Sequence, residues 1–198
     1  MIFEKLKSGV EVTDETFDTI YPAPLKNISK IHFTPIEIAK LAAQYLVQKP
    51  GTRVLDIGSG AGKFCMVGAA CTEGHFTGVE QRRNLHRLAV RLSKKHTWQR
   101  VEYIFGNVTA TNFEAYDAIY YFNSFYEHIF QHSAIDQTVT LDKMLYTLYT
   151  QYMREQLDKM PLGTRLVTYF SFMDEVPDSY KIKSAEIDLK LKFWEKMR

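Results

Sequence analysis

The chain has 198 residues, 45% of them hydrophobic and 24% charged, which suits one domain with a full core and excludes an extensively disordered protein. A formal net charge of +2 predicts no strong polyanion binding, so charge gives no support to a nucleic-acid partner. No apolar run is long enough to cross a bilayer, and the first residues lack the apolar stretch of a secretory signal. The expectation is a cytoplasmic protein with no membrane partner, and the sequence sets no oligomeric state. The two cysteines, Cys65 and Cys71, lie six apart on one predicted helix, too distant for a disulfide, and no clustered histidines suggest a metal.

Residues 1–33 form an arm ahead of the core, with Tyr21-Pro22-Ala23-Pro24 read as a stiff, extended or turning piece. The arm is expected either to pack on the domain as a cover or to act as a flap over a ligand. Thr34-Pro35-Ile36-Glu37 then reads as a helix start, with Thr34 as cap and Glu37 completing a capping box. That helix is expected to run to about residue 47. His32 and Thr34 sit where arm and helix meet.

Residues 54–57 are a short apolar run expected to form a buried strand. Gly58, Gly60 and Gly62 follow at alternate positions, interleaved with Ser59 and Ala61, and the pattern from Lys63-Phe64 is helical. A strand entering a glycine turn and a helix is how an α/β fold presents a nucleotide-like ligand. A Walker phosphate loop is excluded, because Phe64 stands where a Ser or Thr must follow Gly62-Lys63. A dinucleotide fingerprint fits Gly58 and Gly60, but Lys63 occupies the place of its third glycine. A glycine turn without any ligand stays open. Residues 75–80 form the second strand and end on Glu80, 24 residues beyond Asp56, where a carboxylate meets a ribose diol.

Leu85, Leu88, Ala89 and Leu92 then mark one face of a helix, with Arg82, Arg83, Arg87, Arg91, Lys94 and Lys95 on the others. These cations are read as a solvated face, the alternative being a nucleic-acid or acidic-protein surface. Residues 101–105 and 117–122 are the third and fourth strands, the latter ending at Asn123-Ser124-Phe125-Tyr126-Glu127-His128. Residues 127–138 form a loop of the size of a lid. A long helix carries Leu141, Leu145, Leu148 and Tyr152, and residues 164–170 are the fifth strand. Residues 180–183 and 188–194 alternate apolar and polar as a closing pair. The gap at 171–179 is too short for a full helical crossover.

Gly-x-Gly-x-Gly opened by Asp56, with Gly78-Val79-Glu80 downstream, resembles the first motifs of the class I S-adenosylmethionine (SAM) dependent methyltransferases. Asn123-Ser124-Phe125 adds some similarity to the non-SET histone lysine methyltransferases, over the central third to half of the chain. The resemblance implies a three-layer α/β/α sandwich, five parallel strands with an antiparallel closing strand, and a shortened last crossover. It implies SAM as cofactor and a small molecule or protein amine as acceptor. The cofactor would be held by His32, Thr34, Asp56, Gly58, Ser59, Gly60, Gly62, Phe64, Glu80, Gln81, Leu85, Asn107, Val108 and Asn123. Asn107 stands where many such enzymes place an Asp on the adenine amino group, and its carbonyl could accept there. Asn123, Tyr126 and Glu127 are the candidates for positioning and proton handling, with His32 and His128 behind them. Asn123 and Tyr126 match two places of the adenine or glutamine amino-methyltransferase signature, but Ser124 and Phe125 replace its prolines. A SAM-binding protein without catalysis and a nicotinamide-dependent oxidoreductase remain as alternatives.

Overall fold

The computed structural model describes residues 2–96 and 99–198. Seven strands form one sheet in the order β3-β2-β1-β4-β5-β7-β6. They are β1 (Arg53–Ile57), β2 (His75–Glu80), β3 (Val101–Phe105), β4 (Ala118–Phe122), β5 (Arg165–Tyr169), β6 (Tyr180–Glu186) and β7 (Leu191–Lys196). The first five pair in parallel, and β7 returns antiparallel between β5 and β6.

Alternation along each strand sorts the core onto two faces. Val54, Phe76, Tyr120 and Val167 pack with α1 (Ile2–Lys7), α4 (Ile36–Leu46) and α5 (Lys63–Cys71). Leu55, Ile57, Val79, Ile119 and Tyr121 pack on the other face against α7 (Lys143–Lys159). With α6 (Arg83–Lys95) covering the β2–β3 side, the molecule is an α/β sandwich of Rossmann-like topology. No helix stands between β5 and β6, as the nine-residue gap predicts. The closing pair is longer than expected, with β6 reaching Glu186 and β7 reaching Lys196, and its turn lies where the second strand was expected to begin. Ile187, Asp188 and Leu189 all adopt positive φ and form the turn, so β7 starts at Leu191.

The arm is largely helical, and of the piece expected to be extended or turning, Tyr21 and Pro22 are extended while Ala23 and Pro24 begin a helix. It folds as α1, α2 (Asp14–Phe17) and α3 (Ala23–His32), and Pro24 falls inside the first turn of α3, where a missing N–H costs nothing. Phe3, Phe17, Tyr21 and Phe33 are buried and meet in succession edge to face, with ring centroids 5.6, 6.1 and 5.5 Å apart. Thr34 does not cap α4. Its hydroxyl is 2.9 Å from the Tyr120 hydroxyl, and Asp14 of the arm accepts from the Ile36 N–H at 3.0 Å. The arm is thus a pinned cover. Its anchor is Lys63, the residue that breaks the dinucleotide pattern. Lys63 is 3% exposed, and its ammonium lies 2.6 Å from Asp14 Oδ1, 2.8 Å from Asp18 Oδ1 and 3.2 Å from Ser29 Oγ.

Among the described residues no helix is long and apolar enough to cross a membrane. The two cysteines are unpaired.

Lys63→Ala leaves the Asp18 carboxylate buried beside Asp14 without its cation. Removing one partner of such a pair costs about 3–5 kcal/mol. Urea unfolding is expected to show a loss of that size, with Lys63→Met combined with Asp18→Leu losing markedly less. An unchanged midpoint for Lys63→Ala would mean that the clip does not hold the arm.

Candidate functional site

The site lies at the carboxyl ends of β1, β2 and β4, under a cover supplied by the end of α3. The turn after β1 is forced close to the turn after β4. Gly58 adopts φ +74, and a Cβ there would run into the Ser124 side chain, whose hydroxyl donates to the Ile57 carbonyl at 2.5 Å. Gly62 adopts φ +82 at the start of α5, and a Cβ there would meet the Tyr103 hydroxyl. Only glycine satisfies both demands.

The backbone N–H groups of this turn are engaged within the protein. Gly58 and Ser59 both donate to the Val79 carbonyl at 3.0 Å, and Gly62 donates to the Ser59 carbonyl at 2.8 Å. Gly60 donates to Glu80 Oε2 at 2.9 Å, and Glu80 Oε1 accepts from the Arg82 N–H at 2.6 Å. Glu80 is 4% exposed. Burial raises its pKa, while the two N–H donors and the Arg82 charge oppose the shift.

Arg82 is a site residue that sequence reasoning placed on a solvated face. It is 3% exposed, and its guanidinium makes two parallel bonds of 2.7 Å to Glu127 and one of 2.9 Å to Asp136. The 127–138 loop is held over the site by this fork. Glu127 is therefore engaged on both oxygens, and proton transfer is not the role its surroundings support. Arg83, Arg87, Arg91, Lys94 and Lys95 are exposed, as expected for a solvated face.

A cavity of about 270 Å³ is bounded by His32, Gly58, Glu80, Gln81, Asn107, Val108, Asn123 and Tyr126, together with Ile31, Phe122, Tyr149 and Phe170. A smaller recess beside it is bounded by His32, Thr34, Asp56, Ser59, Gly60 and Phe64. His32 borders both, and burial lowers its pKa, so its imidazole is neutral at pH 7. Asp56 is pushed up to about 7 by burial, with the Cys65 thiol donating to it at 3.3 Å. The Ser59 hydroxyl is buried without a hydrogen-bond partner, packed against Gly78 of β2.

Four expected positions differ in detail. Leu85 lies on the apolar face of α6, inside the core and outside both cavity linings. Gly62 shapes the turn and borders neither cavity. The Asn107 carbonyl accepts from the Thr109 N–H and hydroxyl, each at 3.0 Å, and its amide donates to the Tyr149 hydroxyl at 2.6 Å. It borders the cavity with its carbonyl already capping the next turn. His128 is buried behind the cavity wall, edge-on to Tyr149 at 5.1 Å, its Nδ1 accepting from the Asp142 N–H at 3.3 Å.

Residues 54–143 match the family model described as a methyltransferase domain. Among solved structures, the E81Q mutant of MtNAS in complex with S-adenosylmethionine superposes with a TM-score of 0.59, at 14% identity, over 98% of this chain and 73% of that one. An RNA methyltransferase from Salinibacter ruber in complex with S-adenosyl-L-homocysteine gives 0.51, at 15% identity, over 89% and 92%. The [4+2]-cyclase SpnF gives 0.53, at 19% identity, over 67% and 43%. The chain spans only 43–53% of three of the solved chains it matches. No curated protein matches the sequence. At these identities the structural likeness carries the fold, and the family model carries the motif-bearing segment. With the glycine turn, Glu80 and the β4 end gathered on one sheet edge, residues 54–143 carry the methyltransferase-domain match and the whole chain carries the Rossmann-like fold of the methyltransferases it resembles.

Proposed function

We propose that the cavity and its adjoining recess bind SAM, and that the chain transfers the methyl group to an acceptor at the β4 end. The observation that carries this reading is the polarity of the glycine turn. A dinucleotide pyrophosphate needs free N–H donors at such a turn. Here the N–H groups of Gly58, Ser59, Gly60 and Gly62 are engaged by protein oxygens. Two acids, Asp56 and Glu80, border the space instead. An anion would be repelled there, and a phosphate-free nucleoside bearing an ammonium and a sulfonium is favoured. Glu80 retains a lone pair on each oxygen for a ribose diol, and Asp56 suits the methionine ammonium.

When bound, SAM supplies an electrophilic sulfonium methyl. The residues of this chain align the acceptor and keep water away. Asn123, in a left-handed conformation at φ 42, borders the cavity beside Tyr126. Its amide serves to orient the acceptor. The neutral imidazole of His32 can take up a proton there.

A titration separates this reading from an oxidoreductase. SAM at about 100 times its Kd is expected to stabilise the fold by about 2.7 kcal/mol, while NAD adds nothing. Glu80→Gln is expected to weaken SAM binding by about 10- to 100-fold through loss of charge-assisted bonds of roughly 1.5–3 kcal/mol. Stabilisation by NAD, or by neither ligand, would overturn the proposal. SAM binding without turnover on any acceptor would favour a binding protein lacking catalysis.

Asp56 generates a pH prediction. Its folded pKa of about 7 lies above its ordinary 3.8, so the folded state holds a proton that the unfolded chain has released. Stability from this group falls as pH rises from about 4 to 7 and stays low above that. Asp56→Asn is therefore expected to be more stable than the natural protein at pH 8, by about 2–4 kcal/mol, and less so at pH 4. The same variant should bind SAM more weakly. Chemical denaturation at the two pH values checks the first outcome and calorimetry the second.

A further inference from the structure

At the ends of β4 and β5 the cavity is bordered by aromatic rings, to which the cofactor reading assigns no role. Phe122 and Phe170 border the cavity and lie 6.2 Å apart. Tyr126, also on its border, stacks on Phe130 at 4.4 Å and meets Phe172 at 5.6 Å. Phe130, Phe170 and Phe172 are 39%, 43% and 51% exposed. Exposed apolar side chains gathered at a cavity mouth mark a binding surface, whereas scattered ones do not.

The backbone adds an independent sign. Asn123, Phe170 and Met173 adopt φ of 42, 53 and 74, a left-handed conformation that side-chain-bearing residues seldom take. Two strand ends thus hold strained backbone where the rings cluster, and such strain persists where the surroundings enforce it, commonly at ligand sites.

Two acids near the mouth are committed, while Asp174, beside Met173, is exposed. Glu127 is held by Arg82, and Glu175 is buried and accepts from the Ser171 hydroxyl at 2.5 Å. Lys190 lies 5.5 Å from the Phe170 ring centre. A cationic acceptor brought beside a sulfonium would meet repulsion that neither Glu127 nor Glu175 is free to offset. A flat neutral acceptor gains ring stacking at no such cost.

Resting on the SAM reading above, we propose that Phe122, Tyr126, Phe130, Phe170 and Phe172 form the acceptor subsite, and that it takes a planar aromatic molecule bearing an uncharged hydroxyl or amino nucleophile. The oxygen or nitrogen lone pair attacks the methyl carbon and forms the new bond. The carbon–sulfur bond breaks with its electron pair remaining on sulfur, which becomes a neutral thioether. The proton of the acceptor passes to the His32 imidazole and from there to water.

The test uses 2-naphthol as probe, followed by its own fluorescence with and without S-adenosylhomocysteine. The natural chain is compared with Phe172→Ala and with Phe130→Ala/Phe172→Ala, whose exposed positions spare the core and whose folding is checked by circular dichroism. Naphthol is expected to bind saturably, and the double variant to lose about tenfold in affinity while its SAM affinity stays within about twofold. With tritiated SAM, naphthol is expected to be methylated in preference to Nα-acetyl-lysine methylamide. Naphthol binding indifferent to ring removal, or preference for the lysine derivative, overturns the subsite while leaving the SAM reading intact. Ring-dependent naphthol binding with no SAM binding supports the subsite and sinks the cofactor reading instead.

Discussion

The Glu80 carboxylate is the tie on which the site depends. One oxygen fixes the glycine turn through Gly60, and the other fixes the start of α6 through the Arg82 N–H. Arg82, so placed, reaches across to Glu127 and Asp136 and holds the loop after β4. Three loops from three strands are thereby set by one buried acid and one buried guanidinium. Charge-assisted bonds in a site shielded from water are stronger than neutral ones, and both of Arg82's guanidinium faces are used. The arrangement leaves two acids, Asp56 and Glu80, on the border of the site.

A second device brings the arm into the site. Lys63 stands where a dinucleotide fold needs a glycine, and its ammonium sits between Asp14 and Asp18. The same Asp14 caps α4 by accepting from Ile36. The arm is consequently continuous with the core through α3, and His32 and Phe33 arrive over the glycine turn as fixed walls. The aromatic succession from Phe3 to Phe33 fills the space between arm and α5. What reads in the sequence as a departure from one nucleotide motif is, in the fold, the anchor of the cover.

The differences between expectation and structure have a common cause. Thr34 and Glu37 have the pattern of a capping box, yet Thr34 faces Tyr120, 86 residues away, and a long-range partner takes the cap. Arg82 belongs by sequence to a run of cations, yet it alone of that run turns inward, because the buried Glu127 and the part-buried Asp136 of β4's loop pair with it. Asn107 has the chemistry for an adenine contact, yet its carbonyl closes the next turn locally, as short polar side chains readily do. In each case the side chain is suited to several partners, and the choice is made by residues distant in sequence.

The sequence by itself determined the strand–turn–helix around residues 54–64, the acid at the end of the second strand and the missing last crossover, while the parallel pairing of the core strands came only as what the family resemblance implies. The features that the sequence determined follow from local rules: periodicity, glycine conformational freedom and chain length between strands. Tertiary structure alone decided that the turn's N–H groups are engaged, that Lys63 and Arg82 are buried, that Glu127 closes a loop, and that rings from residues 122–130 and 170–172 share one mouth. Those are long-range pairings, and no local pattern encodes which oppositely charged or aromatic partner a folded chain brings within reach.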